Sequence, residues 1–245
     1  MGPDLVPRPP SGRTFTTERR VRLGDATPGQ RLRLDALARY LQDVSSDDTR
    51  DAGVSDDGTW IVRRTVIAVQ CWPVFAEAIE MTTWCSGLGS RWAERRVSVR
   101  GEHGVAVETS TLWVHVDADG LPALLPPRFL EVYGEAARGR EVSSRLVHPK
   151  PPPDLPTEPW PLRAVDLDVL RHVNNAAYWA VVEEELAARQ RALRAPFVAE
   201  MEHRSAMLGG DEVSVAVSDD DDERFVLWVL VNGRPRASAR ITPAS

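Results

Sequence analysis

A chain of 245 residues can bury a substantial core as one large domain or two modest ones, and 42% hydrophobic with 27% charged content excludes wholesale disorder. The formal charge of −6 excludes nucleic-acid binding through a general basic field, so an anionic ligand would need a local patch. Lys150 is the only lysine, and nearly all positive charge is therefore arginine.

The chain opens on MGPDLVPRPPSGR, with prolines and arginines where a secretory leader has its apolar core, and no later apolar run is long enough to span a bilayer. A cytoplasmic protein is expected. LDALARYLQDV (34–44) places Leu37, Tyr40, Leu41 and Val44 at helical spacing behind Asp35 as N-cap. Four runs rich in β-branched and aromatic residues follow, at 59–72, 76–87, 90–101 and 105–117, with EHG (102–104) and DADG (117–120) as hairpin turns. Cys71 and Cys85 fall in this region in no CxxC or ligand pattern, which disfavours a disulfide scaffold and a cysteine-based zinc site. PKPPPDLPTEPWP (149–161) has the composition of an extended connector.

Beyond the connector the order repeats. A helix is expected from Asn174 or Asn175 to about Arg189, then strands at 197–207, 211–218, 223–233 and 234–242, with the acidic run at 218–223 as a solvated hairpin turn. A helix followed by antiparallel strands, twice over, suggests duplication of one α+β unit. One helix serves a long antiparallel sheet economically when the sheet curls round it, so the expected fold is two tandem hotdog units, although an unspecified α+β sandwich fits the same pattern. The expected boundaries are residues 14–132, a linker at 133–161, and residues 162–245.

The densest group of reactive side chains is DLDVLRHVNNAAYW (166–179), just before the second helix. An asparagine at a helix start is ordinary capping chemistry. Asp168 and His172 stand too far ahead of the helix to be caps, and can fold back over its first N–H groups, where the helix dipole stabilises an oxyanion. A carboxylate there can activate water or attack directly, and a neutral imidazole can position or protonate a leaving group.

This stretch resembles the D-x-D-x-x-x-H-V-N-N-x-x-Y signature of hotdog thioesterases, including the acyl-acyl carrier protein (acyl-ACP) thioesterases, whose chains carry two fused hotdog units. LQDV, CWPVFAEAIEMTTW, SRWAERRVSV and TSTLWVHVD extend the resemblance through the first half, so that it spans Thr16 to Ile241. It implies a thioesterase of fatty-acid biosynthesis acting on an acyl-ACP or acyl-coenzyme A (CoA) thioester, without cofactor, metal, nucleic-acid partner or membrane span. Asp168 becomes the catalytic carboxylate, with His172 and Asn174 beside it; Asn175, Ala176, Arg171 and Glu183 are candidate substrate contacts. Two positions depart from the plant-type pattern. Leu170 stands where an asparagine is usual, and Ala206 and Met207 where an acidic residue or cysteine is usual. Hotdog thioesterases with an apolar residue at the first of these work with the Asp and the helix-start amides, and that simpler water chemistry is expected here. In the wider group Arg171 replaces a frequent glycine, and it can crowd the site or bind an anionic carrier.

The first half carries GDATPGQRLRLD (24–35) before its helix, with neither His nor Asn, so it is expected to shape the acyl pocket through residues such as Trp60, Trp72, Leu41 and Tyr40. His203 reads as a surface residue, His103 and His115 lack metal partners, and Arg63, Arg64, Arg95, Arg96, Arg171 and Arg189 are candidates for a carrier-docking patch. Two units in one chain allow a monomer where single-unit relatives dimerise, with a homodimer as the alternative. The rival to the enzyme is a non-catalytic acyl-binding or regulatory protein on the same fold; a hotdog hydratase is disfavoured because no His-bearing hydratase loop precedes a helix.

Overall fold

All eight runs marked as strands by their β-branched and aromatic content are strands. The computed structural model describes residues 4–55, 58–188, 195–219 and 224–243; Arg189 and the acidic run at 220–223 lie outside them. The elements in chain order are β1 (Thr14–Arg20), α1 (Leu34–Asp51), β2 (Thr59–Cys71), β3 (Ala78–Leu88), β4 (Trp92–Gly101), β5 (Ala106–Val116), α2 (Pro127–Ala137), β6 (Thr157–Trp160), α3 (Ala177–Ala188), β7 (Phe197–His203), β8 (Val213–Asp219), β9 (Phe225–Val231) and β10 (Arg234–Pro243). A single 3-10 turn precedes α1 (Leu23–Asp25) and another precedes α3 (Ala164–Asp166).

The strands form one ten-stranded antiparallel sheet in the order β1-β3-β4-β5-β2-β7-β10-β9-β8-β6. Read inward from either edge, the order is the same in both halves, which join where β2 pairs with β7 from Arg64↔Glu202 to Val69↔Phe197. One face of the sheet packs on both helices, in a single core that includes Leu37 and Leu41 of α1, Trp179 and Val182 of α3, Ile67 of β2 and Met201 of β7. The helices differ in how far they are enclosed. Buried Leu34, Leu37, Tyr40, Leu41 and Val44 make a stripe on α1, whereas α3 buries Tyr178, Trp179, Val181, Val182 and Leu186 on several sides, as an enclosed helix must.

Four elements differ from expectation, the first being the edge strand β1, which no expected run covered. The helix α1 starts at Leu34, so Asp35 is not its N-cap; its carboxylate binds Arg33 Nε (2.8 Å) and Arg39 Nη1 (2.8 Å) within the first turn. Part of the segment expected as linker is structured, since α2 runs to Ala137 and β6 pairs with β8 from Thr157↔Ala216 to Trp160↔Val213. The prolines permit this because β6 is an edge strand, which needs hydrogen bonds on one side only. Between α2 and β6 the chain crosses the sheet's other face, held where Glu202 accepts the N–H groups of Val147 (2.6 Å) and His148 (3.1 Å) and where Trp228 Nε1–H donates to Pro149 O (2.9 Å).

Candidate active site

The turn at 166–176 is built by its own backbone. Leu167 bridges to Val173, the Asp168 N–H donates to His172 O (2.8 Å), and Arg171 N–H donates to Asp168 O (2.9 Å). Arg171 closes the turn at φ +61, the left-handed conformation that explains a glycine's fitness there. The Asp168 carboxylate locks the loop: Oδ1 accepts from Leu170 N–H (2.9 Å) and His172 N–H (3.2 Å), leaving Oδ2 without a hydrogen bond among the described residues. His172 bridges Leu208, and Val173 N–H donates to Met207 O (2.9 Å), so Ala206 and Met207 run beside the turn with no polar side chain of their own to offer it.

Asn174 is a true cap. Its Oδ1 accepts the Ala176 N–H at 2.8 Å, which occupies one of the two amides expected to hold an oxyanion. The Asn175 N–H is the one left open, with no hydrogen bond among the described residues. Three spaces lie along this helix start and α1, and Asn175 lines the smallest of them. A surface groove of about 960 Å3 passes Asp166, Leu167, Asn174 and Ala176 and is flanked by Arg19, Arg20, Arg22, Arg39 and Arg163. A gap of about 20 Å3 lies between Asn175 and Trp179 on one side and Gln42, Trp113 and Thr65 on the other. An apolar cavity of about 180 Å3 extends beneath α1, lined by Ser45, Thr49, Trp60, Cys85, Ala93 and Phe129. Gln42 borders all three.

One wall of the apolar cavity is charge held in place. Arg95, which lines it, is buried and pairs with Asp48 of α1, whose carboxylate also accepts from Tyr133 Oη (2.9 Å) and Arg13 Nε (2.7 Å). Burial pushes the Cys85 thiol up to about 11, so it is a wall of the cavity and not a nucleophile.

The expected site residues are only partly brought together. Asp168 and His172 line none of these three spaces; the residues of the 166–179 stretch that do are Asp166, Leu167, Asn174, Asn175, Ala176, Ala177 and Trp179. Glu183 faces neither groove nor cavity. Its carboxylate is bound by both Nη groups of Arg31 (2.8 and 2.7 Å) and accepts the Leu34 N–H (2.6 Å), so it closes the start of α1. Trp60 and Leu41 line the inner spaces, Tyr40 lines the groove, and Trp72 instead lies under the Arg31 guanidinium. His203 is buried, edge-on to Tyr178 at 4.9 Å; burial and then the charge of Arg63 bring its imidazole down to about 4, so it is neutral. The arginines expected as a docking patch are dispersed: Arg95 and Arg96 are buried in β4, Arg63 donates to His203 O, Arg64 to Arg145 O, and Arg171 is exposed at the turn.

Gln42, Trp113 and Phe129 escaped the sequence reading. A second group also did. His148, Glu200 and Glu202 present ligand atoms within 4.8 Å of one another on the sheet face away from α3. Their carboxylates already have cations, with Arg240 at 2.6 Å and Arg64 at 3.9 Å from Glu200 and Arg204 at 3.8 Å from Glu202. Despite the opposing effect of burial, His148 and Arg240 hold Glu200 down to about 2.

Comparison with known proteins agrees with this architecture. The family described as acyl-ACP thioesterase N-terminal domain matches residues 12–121, and that described as acyl-ACP thioesterase C-terminal domain matches residues 153–241. An uncharacterized protein of Mycobacterium tuberculosis is 35% identical over 220 residues, covering 89% of this chain and 88% of its own length. The chloroplastic dodecanoyl-[acyl-carrier-protein] hydrolase of Umbellularia californica is 25% identical over 195 residues, 70% of this chain and 50% of its own length. Among solved structures, the 12:0-ACP thioesterase of Umbellularia californica superposes with a TM-score of 0.78 at 18% identity, covering 94% of this chain and 96% of that one; an acyl-ACP thioesterase of Bacteroides thetaiotaomicron gives 0.78 at 17%, covering 94% and 97%. Those two likenesses are of fold, whereas the family matches extend over most of the sequence. With two domain descriptions matched in order along it, this chain belongs to the acyl-ACP thioesterase family.

Proposed function

We propose that the chain hydrolyses an acyl thioester on tandem hotdog units, the first (residues 14–132) housing the acyl tail and the second, from β6 onward, supplying the reaction centre. The observation that carries this reading is that Gln42 borders an arginine-flanked groove, an apolar cavity and the small gap lined by Asn175, whose N–H is unpaired among the described residues. A thioester needs all three: a polar channel for its phosphorylated handle, a donor for its carbonyl oxygen and an apolar space for its chain. Arg20, whose Nη1 donates to Ala76 O (2.6 Å), and Arg22 form no ion pair among the described residues, so they are the groove cations whose charge no carboxylate offsets and that can meet the phosphates of an ACP- or CoA-borne handle.

Asp168 is assigned as general base. Its Oδ2 is uncommitted, and because the side chain stands outside the groove lining, a water molecule rather than the carboxylate makes contact with the thioester carbon. Water adds to the carbonyl carbon, one of its protons passes through Asp168 to the departing sulfur, and the C–S bond breaks to give a carboxylic acid and a thiol. Asn174 holds the first turn of α3 in place, and His172 closes the loop that positions Asp168. Asp168→Asn keeps the Oδ1 acceptor and hence the turn, while removing the base. Turnover should fall by about 10²–10⁴ with an unchanged melting temperature, and a purified variant that retained hydrolysis would remove Asp168 from this role.

A non-catalytic acyl-binding protein is the second reading, favoured by the tie between the Asp168 carboxylate and its own loop and by the absence of Asp168 from the lining of all three spaces. A panel of acyl-CoA and acyl-ACP substrates decides between them, since stoichiometric binding without free thiol belongs to the second reading alone.

A further inference from the structure

The turn before α1 repeats the turn before α3 bond for bond. Arg22 N–H to Asp25 Oδ2 (3.2 Å) matches Arg163 N–H to Asp166 Oδ2 (2.8 Å), and Thr27 N–H to Arg31 O (2.9 Å) matches Asp168 N–H to His172 O (2.8 Å). Leu32 N–H to Pro73 O (2.8 Å) matches Val173 N–H to Met207 O (2.9 Å), and Gln30 and Arg171 share the left-handed conformation at φ +68 and +61. This register makes Arg31 the counterpart of His172, Leu34 of Asn175, and Gln42 of Glu183.

The two helix starts are nevertheless finished differently. Glu183, on α3, crosses to the start of α1 and takes the Leu34 N–H at 2.6 Å, with Arg31 neutralising its charge. Gln42, on α1, occupies the reciprocal place before the start of α3, yet no hydrogen bond joins it to Asn175 among the described residues; both border the gap of about 20 Å3. A space of that size accepts about one oxygen-sized group. What a carboxylate fills at one helix start is left open at the other, opposite a side chain that can donate. A glutamine amide carries two N–H donors, whereas an ionised glutamate carries none.

We propose that Gln42 is a catalytic residue that donates from Nε2 to the thioester oxygen, sharing it with the Asn175 N–H as it becomes an oxyanion; this rests on the hydrolase reading above. The first half thereby contributes to the chemistry as well as to the acyl cavity. Gln42 exchanges no proton. It stabilises charge that develops on the carbonyl oxygen while water adds and the C–S bond breaks, and its position bordering groove, gap and cavity sets the carbonyl where the acyl chain turns inward.

The test uses the full chain and the acyl-CoA or acyl-ACP thioester that it turns over fastest. Gln42→Ala should lower kcat by about 10²-fold while KM stays within about threefold, because the lost bond matters most in the transition state. Gln42→Met, of similar length and without donors, should behave the same way and guards against a loss of fold, which the melting temperature monitors. Gln42→Glu should be worse than Gln42→Ala by about tenfold or more, since a carboxylate caps Asn175 as Glu183 caps Leu34 and repels the oxyanion. Turnover by the wild-type chain with kcat of Gln42→Ala and Gln42→Met within about threefold of it, or with Gln42→Glu no worse than Gln42→Ala, overturns the role of Gln42 alone. Absence of wild-type turnover on every thioester overturns both this role and the hydrolase reading.

Discussion

Three consecutive glutamates on a helix ordinarily mark a solvated face, and Glu184 obeys that expectation by being exposed. Glu183 does not, because the helix that carries it is enclosed, and a buried carboxylate must find cations and donors. It finds the Arg31 guanidinium and the Leu34 N–H across the boundary between the halves. Removing it strands a largely buried guanidinium and an unpaired helix-start amide. Glu183→Ala should therefore cost about 3 kcal/mol of stability by urea denaturation, while kcat changes by only a few fold because the start of α3 is untouched. A loss below about 0.5 kcal/mol would mean that the pair behaves as an exposed one. At this scale the sequence disclosed what is local. The spacing of Asp168, His172, Asn174 and Asn175 belongs to one turn and could be read directly. Gln42 could not, since its partner is a helix start in the other half and its meaning appears only when the two turns are laid over each other. His203 was misread because polarity alone suggests the surface, and only packing against Tyr178 shows a neutral buried ring.

Strands were legible as elements because alternation and β-branching are local signals, and every expected run became one strand with boundaries shifted by a few residues. The helix α1 was expected to stop at Val44, where its apolar stripe ends, yet it continues to Asp51. The extra turns are sustained by Asp48, buried among Arg13, Arg95 and Tyr133, a tertiary cause that a search for apolar periodicity passes over. The same network forms one wall of the apolar cavity. An apolar cavity of about 150 Å3 holds benzene, so under the proposed function about 180 Å3 would take roughly six to eight carbons of chain. Ala93 is buried on β4 and lines that space. Ala93→Leu introduces three carbons there and should move the preferred acyl chain shorter by about three carbons, as read from kcat/KM across a series of saturated thioesters. An unchanged optimum would place the acyl chain elsewhere.

The molecule as a whole is organised by the pairing of its two halves within one chain. The strand β2, which would otherwise expose a sheet edge, is covered by β7, and one continuous core runs beneath both halves. The edges that remain are poor templates for association. The outer strand β1 carries Glu18, Arg19 and Arg20, and β6 is four residues long with Pro159 in its middle. Further assembly through the sheet therefore offers little gain, and the strong interactions that join the halves, the β2–β7 ladder and the Glu183–Arg31 pair, are already satisfied within one chain. The chain should sediment as a 27.2 kDa monomer at all concentrations tested, and it should unfold in one cooperative transition, because neither half keeps a complete core when the other is lost. A species of twice that mass would show that a face other than the β2–β7 junction is used for association, and two separable transitions would show that each half holds a core of its own.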